Sequence, residues 1–201
     1  MYKLTDRMLQ ALEKDLHKFH ELFQGGRCQA WQLEELIAKA IRSDFNKSDK
    51  VVWKGNGHDI GCDIMINDDI EMQIKSGAIV GKYLSLSGHR LGRFKGDLQK
   101  ITDFLQENSY LLVAVPYYTK DCERGKSHIY QIFYLDKEML KINDYTKWQE
   151  IKGKKDAVSY RAINDFGVEL SIRPSMSWQI WWNVPISIIS ENNKTRIITI
   201  S

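Results

Sequence analysis

The sequence predicts an α/β fold, a mixed central sheet flanked by helices, with a C-terminal antiparallel β-rich extension. Three observations predict it. Segments 4–24, 29–43 and 96–108 repeat apolar residues at three- and four-residue spacing, the helical period. Two continuous apolar runs, YLLVAVPY at 110–117 and HIYQIFYL at 128–135, suit strands buried on both faces. Beyond residue 136 the pattern breaks into strand-like pieces at 157–164, 167–173, 178–184 and 195–200, read as one antiparallel accessory sheet.

The chain of 201 residues is long enough to bury a full core, and 43% hydrophobic with 27% charged residues argues against disorder. One domain is expected over 1–201: an N-terminal helix within 1–28, a core at 29–135 and the β-rich region at 136–201. The net charge of +3 permits nucleic acid without demanding it. Cys28, Cys62 and Cys122 are odd in number and far apart, with no zinc spacing, so reduced thiols and a cytoplasmic compartment are expected. The N-terminal stretch is amphipathic rather than apolar like a signal peptide, and no run approaches a membrane span, so no membrane partner is expected.

Taken in order, Thr5 caps a helix whose buried stripe is Met8, Leu9, Leu12, Leu16, Phe19 and Phe23, stopped by Gly25-Gly26. His17 and His20 on it read as ordinary helix residues. The second helix turns Leu33, Leu36, Ile37, Ala40 and Ile41 inward, with Glu34 and Glu35 beside that stripe. Acids in a first turn meet the positive end of the helix dipole, which is reason enough for them without function. Residues 44–57 are turn-rich around a short Val51-Val52-Trp53 strand.

The most informative stretch is His58 to Gly77. Segments 59–66 and 70–75 alternate as strands around the polar turn Asn67-Asp68-Asp69, a hairpin signature. Ile70, Met72 and Ile74 share one face of the second strand, and Glu71, Gln73 and Lys75 the other. A tight hairpin brings Asp63 close to Gln73 and Lys75. Hard Mg²⁺ accepts a few oxygen ligands and keeps several waters, so the Asp63 carboxylate, the Gln73 amide oxygen and the Ile74 carbonyl would suffice. Lys75 would orient the attacking water and offset charge on a reacting phosphate.

Asp63, a short gap and Gln73-Ile74-Lys75 resemble the signature of the PD-(D/E)XK nucleases in its Gln-x-Lys variant. The resemblance covers roughly residues 30–135. Cys62 stands where the family usually has Pro, and Gln73 where it usually has Glu, which leaves the metal site one negative charge short. Glu34, Glu35, Asp59 or Glu71 would make up that charge; the resemblance favours Glu34, because a helix before the hairpin often supplies an acid. It implies a restriction-endonuclease-like core with Asp63, Gln73, Lys75 and Glu34 catalytic, and Mg²⁺ as cofactor with Mn²⁺ as substitute. The activity implied is a type II restriction endonuclease: a homodimer cutting double-stranded DNA at a short palindrome, beside a companion methyltransferase in the cell. Three alternatives stand: a structure- or damage-specific DNA nuclease, a catalytically silent DNA-binding module, and a protein-interaction domain with no nucleic acid.

Basic and hydroxyl residues follow the hairpin directly. Ser76, Lys82, Ser87, His89, Arg90, Arg93 and Lys95 are the candidate DNA contacts, with 87–90 as a recognition loop. A charged loop over 119–126 is expected to close over DNA. In the C-terminal region Gln179 and Asn183 are further candidates, with Arg161 and Arg173 behind them. Trp178, Trp181 and Trp182 read mostly as core or dimer packing, with Trp178 and Trp182 on one face of an extended segment.

Overall fold

The structure is a computed structural model, and it describes residues 2–23, 26–45, 50–54, 62–107, 111–122, 125–152, 158–189 and 193–200. The elements in chain order are α1 (Asp6–Leu22), α2 (Ala30–Arg42), β1 (Val51–Trp53), β2 (Ile64–Ile66), β3 (Ile70–Lys75), β4 (Ala78–Val80) and β5 (Tyr83–Arg90). They continue with α3 (Leu98–Glu107), β6 (Leu111–Ala114), β7 (Tyr117–Cys122), β8 (Gly125–Leu135) and β9 (Gln149–Lys152). The last are β10 (Val158–Ile163), β11 (Glu169–Arg173), β12 (Gln179–Pro185) and β13 (Lys194–Ile200). The α/β class expected from the sequence is the class observed, with two sheets and three α-helices among the described residues. No described helix is long and apolar enough to cross a membrane.

The chain forms two compact units, and the division does not fall at residue 136. One unit comprises Met1–Ser76, Tyr110–Leu135 and Glu191–Ser201; the other comprises Gly77–Ser109 and Asp136–Ser190. Each unit is thus assembled from separate stretches of sequence.

In the first unit the strand order is β1-β2-β3-β6-β8-β13, with β7 also on β8. The β2–β3 hairpin turns through Asn67 and Asp68, both at left-handed φ (52° and 57°), which Asn and Asp tolerate. β3 then pairs with β6 in parallel, and all other pairings of this sheet are antiparallel. The expected 110–117 strand is β6 continued into β7. Both pair with β8 in one register, and between them the Pro116 carbonyl accepts the Gln131 N–H (3.2 Å). The charged loop expected over 119–126 is instead the ladder of the β7–β8 hairpin, with residues 123 and 124 outside the described set. Segment 195–200 does not join the accessory sheet, because β13 pairs with β8 here.

Helices α1 and α2 line one face of this sheet. Thr5 caps α1 by accepting the Met8 N–H (3.2 Å), and Leu12, Leu16, Leu33, Ile37 and Ile41 meet Ile64, Ile66, Met72 and Ile74 in a closed core. Each such side chain contributes about 1.5–3 kcal/mol by burial. At one side of that core His20 is 5% exposed, stacked on His128 at 3.8 Å and hydrogen-bonded through Nε2 to the Tyr130 hydroxyl (2.8 Å).

The second unit is built on a six-stranded antiparallel sheet in the order β4-β5-β12-β11-β10-β9. Leu84, Leu86, Leu170, Ile172, Ile180, Trp182 and Val184 occupy its buried face, alternating with polar positions. Residues 87–90, expected as a loop, are the end of β5. Gly88 is required there by packing, since a Cβ would lie 2.1 Å from the Trp182 ring. Before β9 the chain makes a 3-10 turn at Tyr145–Lys147, and the Trp148 indole donates to Thr102 Oγ1 (3.0 Å). Asn164 is the buried polar centre of the unit. Its amide nitrogen donates to the carbonyls of Met139 and Lys141 (2.8 Å each), and its oxygen accepts from the N–H groups of Phe166 (3.1 Å) and Val168 (3.0 Å). All four hydrogen-bonding sites of that amide are therefore filled.

Two stability outcomes follow from these environments. Asn164→Leu should cost about 3 kcal/mol in urea unfolding, because it strands buried backbone groups without partners. The His20 pKa is lowered to about 4 by burial and then by the neighbouring His128 ring. The unfolded chain binds that proton near pH 6.5, whereas the folded one resists it, so stability should fall as pH drops from about 6.5 to 4. His20→Gln should flatten that part of the urea midpoint–pH profile.

Candidate active site

The candidate site is built where β2 stops and β3 continues. Ile64 pairs with Met72, and the Asp63 N–H also donates to the Met72 carbonyl (2.9 Å). Two residues further along β3, the Ile74 N–H faces the same edge with no β2 residue opposite it. The Asp63 side chain takes its place: Oδ2 accepts that N–H at 2.7 Å. Asp63 is thus anchored by main chain on both sides, with its carbonyl accepting the Lys54 N–H (2.9 Å). Strand alternation aims the Ile74 carbonyl along the same edge. Lys75 closes the strand, its own carbonyl accepting the Val115 N–H (2.8 Å) on the β6 side.

Burial and charge act together on these groups. The Asp63 carboxyl is pushed up by burial, against which Lys75 and the Ile74 N–H pull down. Glu34, half-buried on α2, is pushed up to about 7 by burial and then by the charge of Asp63. The Trp53 indole and Lys75 pull it part of the way back. The indole N–H is itself buried without a full hydrogen bond, and the Glu34 carboxylate is the acid it favours. Two desolvated carboxyl groups, one raising the proton affinity of the other, lie in the field of a lysine, so each ionises less readily than an ordinary carboxyl.

The sequence-derived candidates divide clearly. Asp63, Glu34 and Lys75 are brought within one electrostatic neighbourhood, and Gln73 and Ile74 lie on the same strand as Lys75. Gln73 is only 6% exposed, an unusual degree of burial for a side-chain amide. Among the other acids weighed for the missing charge, Glu35 and Glu71 are exposed, and Asp59 lies outside the described residues, as does His58. Cys62, beside Asp63, is buried and its thiol is pushed up by that burial. Trp53 was legible only as a strand residue. Its place beside Glu34 follows from β1 pairing with β2 at Trp53↔Ile64, which no local pattern encodes.

No group of three or more His, Cys, Asp or Glu side chains is gathered for a metal among the described residues. The donor set nevertheless fits a hard divalent cation. The oxygen donors brought together here, the Asp63 and Glu34 carboxylates with the Ile74 backbone beside Asp63, are of the kind Mg²⁺ accepts beside water, whereas zinc or copper would call for His or Cys.

The candidate nucleic-acid contacts are spread through the second unit, except Ser76, which ends a stretch of the first. Lys82 is exposed in the β4–β5 turn, and Lys95 is exposed at a left-handed position. The Arg93 guanidinium lies over the Phe94 and Phe104 rings at 4.7 and 4.5 Å, and His89 packs edge-on against Phe104. Ser87, Arg90, Gln179 and Asn183 belong to paired strands. The Asn183 amide donates to Glu169 (3.0 Å), and Gln179 approaches the Gly88 carbonyl (3.5 Å). Trp178 does not share a strand face with Trp182. It lies off the strand at φ 58°, stacked on Tyr160, while the Trp182 indole donates to the Leu140 carbonyl (3.0 Å).

No protein-family model, curated protein or solved structure matches the chain. Its chemistry is therefore read from its own residues. If Asp63 and Glu34 share one field, Asp63→Asn should lower the Glu34 pKa from about 7 toward the ordinary carboxylate range. A ¹³C NMR titration of the Glu34 carboxyl measures this, and an unchanged midpoint would separate the two groups.

Proposed function

We propose that the protein is a divalent-metal-dependent deoxyribonuclease that hydrolyses phosphodiester bonds of double-stranded DNA. The observation that carries this reading is the pair of desolvated carboxyl groups, Asp63 and Glu34, in the field of Lys75 at the end of β3. Such a pair is costly to bury unless something positive completes it. Asp63, Glu34, the Gln73 amide and the Ile74 carbonyl would hold Mg²⁺, with Mn²⁺ as substitute. When bound, the cation would polarise the scissile phosphate and lower the pKa of a water. Lys75 orients that water and balances charge that develops on the phosphate oxygens. Glu34, raised to about 7 by burial and by Asp63, would give up its proton when the cation binds.

The arrangement of Asp63 with Gln73-Ile74-Lys75 also supports the resemblance to PD-(D/E)XK nucleases on the residues that carry it. Along that line the finer proposal is a type II restriction enzyme, cutting a short palindrome as a homodimer because a two-fold protein reads a two-fold site. A companion methyltransferase would then protect the host.

The decisive experiment incubates the purified protein with unmethylated plasmid and phage DNA in Mg²⁺ or in EDTA. Discrete bands in Mg²⁺ alone are expected, and Lys75→Ala should lose cleavage by at least about 10²-fold. Cutting that survives in EDTA or in the Lys75→Ala protein would overturn the assignment.

A further inference from the structure

We infer that the polar face of the second unit's sheet is a docking surface for duplex DNA, and that it reads base edges as well as phosphates. The inference rests on the nuclease reading only for the choice of DNA as the polyanion. Its basis is the register of four adjacent strands. Arg173, Gln179 and Arg90 stand side by side across β11, β12 and β5. The next row is Arg161, Ser171, Trp181 and Ser87, and the row beyond it is Ile163, Glu169, Asn183 and Ser85. On β10, β11 and β12 the residues between these positions, such as Ala162, Leu170, Ile172, Ile180 and Trp182, are buried, so the rows share the opposite face; on β5 one extra residue between Ser87 and Arg90 shifts the register and keeps Arg90 opposite Gln179.

The composition of that face is selective. Three arginines and no lysine stand in these rows, with five Ser, Asn and Gln side chains and a single carboxylate. That carboxylate, Glu169, is neutralised by Arg161 (3.4 Å) and accepts from the Asn183 amide (3.0 Å). Arg161, Arg173 and Arg90 are exposed, and the serines and amides are half-buried and close to the sheet. Arginine forks suit phosphates and guanine edges, and short hydroxyl and amide groups suit base edges. A protein–protein interface also favours arginine, but it gathers apolar groups at its centre and depletes serine, whereas these rows hold three serines and two amides.

The charge distribution points the same way. The first unit balances 16 Lys and Arg with 16 Asp and Glu, while the second carries 13 against 10, so the net +3 belongs to the second alone. One aromatic, Trp181, stands in the rows, and the Arg173 guanidinium already lies 5.4 Å from its ring centre. Single strands are held by successive open stacking platforms, so this face suits a duplex instead.

The test uses the full chain carrying Lys75→Ala, so that binding is measured without cutting, with a fluorescent duplex in anisotropy titrations. Arg90→Ala/Arg173→Ala should weaken duplex binding at least about tenfold and reduce the salt slope by about two, one for each phosphate that the arginines no longer neutralise. Lys100→Ala/Lys137→Ala removes the same charge elsewhere on the second unit and should weaken binding by less than about threefold. Both residue pairs are exposed, and urea midpoints verify folding. Equal losses in the two double variants, or none in the first, would overturn the inference. Failure of the nuclease reading looks different: arginine-dependent duplex binding would persist while the protein with Lys75 intact cuts nothing in Mg²⁺.

Discussion

The first unit depends on how β3 satisfies its hydrogen bonds. On one edge it has β2, whose pairing starts only at Ile64; on the other it has β6, running parallel. Beyond the reach of β2 the Ile74 amide would be an orphan donor, and the Asp63 carboxylate accepts it. The acid that completes the sheet edge is thereby drawn out of water, and its raised proton affinity is a consequence of that structural duty. Glu34 then feels the charge of Asp63 as well as its own burial. The parallel pairing on the far edge adds a topological demand. Parallel neighbours need a long crossover, and here it carries β4, β5 and α3, all of which belong to the other unit.

Much of this was legible in the sequence where the signal is local. The three helices follow from apolar spacing, and α1 starts where Thr5 offers its hydroxyl. The 67–69 turn is spelled by residues that accept left-handed backbone. The run through Pro116 reads as one strand because a proline only removes a donor there, and its carbonyl keeps the ladder with β8.

What the sequence withheld were partnerships. Alternation tells which face of β13 is buried but not that β8 is its neighbour. Residues 87–90 look like a loop because Gly88 is a loop signal, yet that glycine answers to the Trp182 ring packed against it. Which acid joins Asp63 is likewise non-local. Glu34, Glu35 and Glu71 are all near in sequence or motif, and only the half-buried place beside Trp53 singles out Glu34.

The interleaved path also has a consequence for how the protein is made. β8 emerges from the ribosome long before β13, and residues 136–190, most of the second unit, are synthesised between them. One edge of β8 therefore waits for its neighbour, a strand edge open to wrong pairing with other chains. The second unit, in turn, cannot close on β5 until β12 exists. Neither sheet can be finished early, so both mature late in synthesis, and chaperones that shield strand edges would matter most for nascent chains that have passed β8.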